Sequence, residues 1–147
     1  MRTSTFLRVA SIITLLYFAG HTSGIPWTVD VGPEGMQVID AMKGHSFDAF
    51  GSTRTYWDFY VGFGITISLL LLVLAVVLWQ LASLAKTDAS RVRPIVASFL
   101  VAFIINTVLA WKYFFVIPLV TSAAISVCLA LAVVSAGRNK PAPSARP

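Results

Sequence analysis

The sequence predicts an all-α membrane protein: an antiparallel bundle of four transmembrane helices, with both termini on the cytoplasmic side. Three observations lead to this prediction. The chain of 147 residues is 57% hydrophobic and 12% charged, whereas an average soluble domain is about 25% charged. Four apolar segments come close to or exceed the roughly 20 residues that a helix needs to cross a bilayer. The basic residues collect in the segments that would face the cytoplasm.

The first predicted span covers residues 6–24, which also share features with a signal peptide, namely a basic start, an apolar middle and small residues near the end. Arg8 lies inside the apolar stretch, and no A-x-A cleavage pattern follows it. We therefore expect this segment to be retained as a membrane helix. The other spans are predicted over residues 56–84, 95–114 and 116–137, where apolar residues are nearly continuous.

The connections between the spans carry signals of their own. The outer loop, residues 25–55, contains GPEGMQVIDAMKGHSF, in which Pro33 can start a helix. The residues near one face of that helix are Met36, Ile39, Met42 and Phe47. We expect a short amphipathic helix that lies on the outer membrane surface or caps the bundle. Pro94, just before the third span, is typical of the first turn of a helix. The short connection WKYFFVIP requires an antiparallel hairpin between the last two spans.

The placement of charge predicts the orientation of the chain. Residues 1–137 form a single predicted membrane domain, and residues 138–147, rich in proline and basic side chains, form a predicted disordered cytoplasmic tail. With both termini inside, eight basic residues are cytoplasmic and three are outside. The eight are Arg2, Arg8, Lys86, Arg91, Arg93, Arg138, Lys140 and Arg146, and the three are Lys43, Arg54 and Lys112. The net charge of +5 thus follows from the membrane topology, and we expect no nucleic-acid partner.

One short stretch, GHSFDAFGSTRTYWDFYVGFG, combines seven aromatic rings with several polar side chains. Thr55 and Asp58 have the spacing of a capping box at a helix start. Aromatic rings at a span boundary are typical of the headgroup layer. These two explanations account for Asp58 and most of the rings, and account less well for His45, Asp48 and Arg54.

Small and polar residues also recur along the predicted spans, and close helix packing explains most of them. Because the polar residues concentrate in the outer half, we expect a small pocket there, beneath the outer loop. The candidate ligand-binding residues are His21, His45, Asp48, Arg54, Tyr56, Trp57, Asp58 and Asn106.

The leading hypothesis is a non-enzymatic integral membrane protein that binds a small amphiphile, a lipid or a protein partner at its outer end. The alternative is a membrane enzyme or redox component with a metal or quinone site near His21, His45 and Asp48. A second alternative is a structural subunit of a membrane complex, in which a membrane partner or a second copy packs on the small-residue faces of the fourth span.

The single cysteine, Cys128, excludes an intramolecular disulfide or a CxxC pair. The sequence identifies no catalytic residue and no cofactor, and the partner that the spans themselves predict is the lipid bilayer.

Two stretches, YFAGHTSG and FGSTRTYWDFYVGFG, resemble a family of small, uncharacterised bacterial four-span membrane proteins. That family has a His at the end of its first span, matched here by His21. It begins its second span with an Arg-aromatic-Asp-aromatic-Gly pattern, matched here from Arg54 through Asp58 to Gly62. The resemblance covers most of the chain outside the Pro-rich tail. It implies a four-helix bundle in the plasma membrane and implies no particular activity.

Overall fold

A computed structural model describes residues 2–24 and 31–138 of the chain. The elements in order are α1 (Arg2–Gly24), α2 (Gly32–Gly44), β1 (Ser46–Ala49), β2 (Ser52–Thr55), α3 (Tyr56–Leu84), α4 (Ala89–Tyr113) and α5 (Val116–Arg138). Four helices, α1, α3, α4 and α5, are long and apolar enough to cross a membrane. The predicted helical class and its four apolar segments are confirmed, whereas the predicted tail beyond residue 138 lies outside the described residues.

The chain divides into two compact units, and α1 and α3 each contribute to both. The core unit comprises residues 2–17 and 72–138 of the described chain, and the loop unit comprises residues 18–24 and 31–71.

The core unit is built around buried apolar side chains that come from all four long helices. The members of this cluster are Leu7, Ala10, Leu78, Leu81, Ala82, Ala85, Val92, Val96, Phe103, Ile125, Leu129 and Ala132. Several are alanines, whose small side chains let helices approach closely. Only two residues separate α4 from α5, so these helices form the antiparallel hairpin that the sequence predicts.

The start of α4 is fixed by a side-chain cap. The Asp88 carboxylate accepts hydrogen bonds from the Arg91 backbone N–H at 3.2 Å and from the Ser90 hydroxyl at 2.6 Å. Because this cap satisfies free N–H groups of the first turn, the helix begins at Ala89, ahead of the predicted span. Pro94 consequently lies inside the helix, and its predicted place in the first turn is wrong.

The cap at Asp88 should depend on pH. Hydrogen bonds from the Ser90 hydroxyl and then from the Arg91 backbone N–H hold the pKa of Asp88 below its ordinary value of 3.8. The stabilisation from this carboxylate is therefore complete above that value and is lost as the pH falls through the lower pKa of the folded protein. An NMR titration should show the Arg91 amide proton shifting in this acid range. Asp88→Asn is the matched control, since it retains a capping side chain that does not titrate. An equal shift in the control would contradict the assignment.

The loop unit contains the short helix that the sequence predicts in the outer loop, followed by a β-hairpin that it does not predict. In the hairpin, β1 pairs antiparallel with β2, and Phe47 lies opposite Arg54. The two turn residues both have positive φ, 53° at Phe50 and 83° at Gly51. This combination defines the type I′ turn, which normally takes Asn-Gly or Gly-Gly.

A phenylalanine in this turn is strained, because the left-handed conformation brings its Cβ close to backbone oxygen. The Phe50 ring is fully exposed and offsets none of this cost by burial. Phe50→Asn should therefore stabilise the hairpin by about 1 kcal/mol. Hydrogen exchange at the hairpin amides would measure the gain.

Phe50→Ala serves as the control for that experiment, because it removes the ring and leaves a residue that disfavours positive φ. Equal protection in the Asn and Ala variants would show that the ring, and not the backbone conformation, sets the stability of the turn.

Candidate functional site

The loop unit contains an apolar groove of about 310 Å³ between α2 and the first turns of α3. This volume lies at the lower end of the roughly 300–1,000 Å³ that ligand sites occupy. Its lining includes Gly35, Val38, Ile39 and Met42 of α2 and Trp57 and Tyr60 of α3. The α2 residues follow i, i+3, i+4, i+7 spacing, which places them on one face of a helix. The amphipathic face of α2 therefore forms one wall of the groove.

The wall formed by α2 has a closed part and an open part. Ile39 is buried, whereas Val38 is 61% exposed although it also lines the groove. A Cβ added at Gly35 would collide with the side chain of Val31, which is another lining residue. Glycine at this position therefore allows the chain before α2 to close over the helix. The groove is thus floored by Ile39 and open beside Val38.

A cation lies beside the aromatic wall of the groove. Lys43, in the last turn of α2, places Nζ 4.7 Å from the ring centroid of Trp57. This is cation–π distance. The Trp57 ring also lies 5.3 Å from the Tyr60 ring. The groove therefore combines an apolar interior with one ammonium group next to Trp57.

A second group of rings attaches the hairpin to α3. The His45 ring stacks on the Tyr56 ring, with 5.7 Å between their centroids. The centroid of the Phe47 ring lies 4.9 Å from that of Tyr56 and 5.9 Å from that of Phe59. The row continues along α3, where Phe59 lies 6.0 Å from Phe63. Two of the predicted site residues, His45 and Tyr56, are therefore in contact with each other, and their contact holds the hairpin.

The other predicted residues of the hairpin and helix start have local partners. The Thr55 backbone N–H donates to Asp58 Oδ2 at 2.8 Å, and the Asp58 N–H donates to Thr55 Oγ1 at 3.1 Å. This confirms the predicted capping box. Arg54 is exposed and donates to the Thr53 carbonyl at 2.7 Å. Asp48 is exposed and lies opposite Thr53 in the hairpin.

His21 and Asn106 each connect two helices. In the loop unit, His21 Nδ1 lies 3.1 Å from the hydroxyl of Ser68, which is buried in α3. In the core unit, Asn106 Nδ2 donates to Ser122 Oγ at 2.8 Å and so joins α4 to α5. Ser122 is fully buried, and its backbone carbonyl accepts a hydrogen bond from the Ser126 hydroxyl at 2.9 Å.

Of the eight predicted ligand-binding residues, Trp57 lines the groove, and the other seven lie outside its lining. In the described ranges, no group of three or more His, Cys, Asp or Glu side chains is placed to hold a metal ion. Of the residues predicted on the apolar face of α2, Ile39 and Met42 line the groove, whereas Met36 is exposed and outside the lining. Gly35 and Val38 were not predicted on that face, although their spacing with Ile39 and Met42 is helical.

No family model, curated protein or solved structure matches this chain. The resemblance of the His21 and Arg54–Gly62 stretches to four-span bacterial proteins therefore stays a prediction.

The geometry predicts a structural effect for Asn106. Asn106→Ala should lower the free energy of unfolding by about 0.6 kcal/mol, and by at most roughly 1.7 kcal/mol, the range for hydrogen bonds between membrane helices. Titration of the detergent-solubilised protein with a denaturing detergent would measure this loss.

Ser98→Ala is the control on the same helix, since the exposed Ser98 hydroxyl donates to Pro94 O within α4. Equal losses in the Asn106 and Ser98 variants would contradict a role for Asn106 in joining helices.

Proposed function

We propose that the protein is a non-enzymatic integral membrane protein that binds the apolar chain of a small amphiphile in the groove between α2 and α3. In this proposal the four long helices form an antiparallel bundle in the bacterial plasma membrane. Both termini are cytoplasmic, and the groove lies on the outer side. The observation that carries the proposal is the apolar groove lined by Trp57, with Lys43 beside that ring.

The shape and chemistry of the groove favour a slender apolar ligand. Its lining is made of aliphatic and aromatic side chains, whose burial by a ligand contributes about 25 cal/mol per Å². Its volume of about 310 Å³ is small for a ligand site. We therefore infer one hydrocarbon chain as the occupant, rather than a large ring system.

The polar groups beside the groove suit the head of the same ligand. Lys43 Nζ can donate to a carboxylate, phosphate or hydroxyl oxygen, and Tyr60 carries a phenolic hydroxyl on the groove wall. Tryptophan and tyrosine are also enriched where membrane meets water, and an amphipathic helix such as α2 lies along that boundary. An amphiphile could then enter from the lipid without passing through water.

The test places a charge inside the groove and compares it with the same charge outside it. Val38→Asp introduces a carboxylate into the apolar lining, whereas Met36→Asp places one on the same helix outside the lining; both native residues are exposed. Binding of a brominated lysophospholipid would be followed by quenching of Trp57 fluorescence, with Trp27, Trp79 and Trp111 replaced by Phe. Val38→Asp should weaken binding about tenfold, the cost of losing one buried aliphatic contact. Met36→Asp should have less than about a twofold effect, as expected away from the contact.

Equal binding by the two variants would overturn the proposal. A change in oligomeric state with Val38→Asp alone would show instead that the groove seats a second copy of the chain.

A further inference from the structure

The core unit has a strong excess of positive charge at one end, where α1 begins, α3 connects to α4, and α5 ends. The residues of this cationic end are Arg2, Arg8, Lys86, Arg91, Arg93 and Arg138. In the described part of the core unit, Asp88 is the only acidic residue. Its carboxylate is already engaged, because it caps α4 and pairs with Arg91 Nε at 2.9 Å. Within the described part of the core unit, no acidic residue is left to pair with the other five basic residues of the cationic end.

Arg8 is the member of this group that lies deepest in an apolar helix. It stands about 9 Å along α1 from Arg2 at 1.5 Å per residue, between the fully buried Leu7 and Ala10. Its Cζ lies 5.2 Å from the ring centroid of Trp79 in α3. Its Nε is buried and has no hydrogen-bond partner among the described residues. Arg8 as a whole is half-buried, and a guanidinium so placed in an apolar helix is costly unless an acceptor reaches its accessible N–H groups.

We propose that Arg8 binds the phosphodiester group of an anionic phospholipid. A planar guanidinium matches two oxygens of a phosphate, and such charge-assisted pairs are strong. Contact of Trp79 with a face of the guanidinium leaves the N–H groups at its edge able to donate. Basic pockets between membrane helices on the cytoplasmic side are known to bind acidic lipid headgroups.

The surroundings of Arg8 favour a lipid over free phosphate. Ile12 lies four residues after Arg8 on the same face of α1 and is 49% exposed. Trp79 is also partly exposed beside the guanidinium. An acyl chain could pack on these apolar side chains while its phosphate reaches Arg8. Free phosphate could use the charge and would gain nothing from the apolar surface.

The experiment uses the full chain in detergent and measures lipid retention by native mass spectrometry. Phosphatidylglycerol, phosphatidylcholine and inorganic phosphate are titrated separately into wild type, Arg8→Gln and Arg91→Gln. The last variant removes the same charge from the same end, at a side chain that is 87% exposed and paired with Asp88. Arg8→Gln should weaken phosphatidylglycerol binding about fivefold, the effect of one basic group near an anionic lipid, and leave phosphatidylcholine unchanged. Arg91→Gln should change phosphatidylglycerol binding by less than about twofold, because an exposed ion pair contributes little.

Three results would overturn the proposal: equal losses in the two glutamine variants, equal binding of both lipids by wild type, or displacement of phosphatidylglycerol by an equal concentration of inorganic phosphate. Circular dichroism and thermal unfolding check that the variants are folded. If Arg8→Gln does not fold, Arg8→Lys decides the question, since it keeps the charge and lacks the planar fork. Loss of phosphatidylglycerol by the lysine variant supports the proposal, and retention equal to wild type refutes it.

Discussion

The geometry of the loop unit depends on the reciprocal hydrogen bonds between Thr55 and Asp58. Thr55 ends β2 and the next residue begins α3, so no loop separates strand from helix. The two bonds satisfy free N–H groups of the first helical turn and fix the angle at which the chain enters it. The rings that follow are then divided between two faces. Trp57 and Tyr60 line the groove against α2, whereas Tyr56, Phe59 and Phe63 continue the row that holds the hairpin.

In the core unit, a few hydroxyl and amide groups fix the alignment of neighbouring helices whose contact surfaces are otherwise apolar. Leucine and alanine faces can slide past one another at little cost, because lipid and protein are similar solvents for them. The Thr3 hydroxyl lies 2.7 Å from that of Ser135 and aligns α1 with α5. The Ser11 hydroxyl donates to Ala75 O at 2.7 Å and aligns α1 with α3. With Asn106 and Ser122, these contacts specify how the helices meet.

The sequence predicts those features that depend on local pattern. Apolar length predicts the four long helices, and the Thr55–Asp58 spacing predicts the cap. The hairpin was missed because its turn places Phe50 in a conformation that phenylalanine disfavours, so the usual Asn-Gly signal is absent. The partners of His21 and Asn106 depend on which helices are neighbours, and periodicity alone does not supply that. The groove was missed for a related reason, since the spacing along α2 defines a face and only the position of α3 defines what that face meets.

Where the structure describes the chain, basic side chains lie on aromatic rings more often than on carboxylates. In the described residues, Arg8 lies over Trp79, Lys43 over Trp57 and Lys112 over Tyr113, whereas Arg91 with Asp88 is the one ion pair. The two arrangements have different consequences. A carboxylate neutralises the cation and occupies its donors, whereas a ring attracts the cation through its quadrupole and adds no charge. A lysine or arginine on a ring therefore keeps its N–H donors available to an anion. This property connects the groove beside Lys43 with the apolar surroundings of Arg8, since at both places an anionic amphiphile would bring a counter-charge and a hydrocarbon chain.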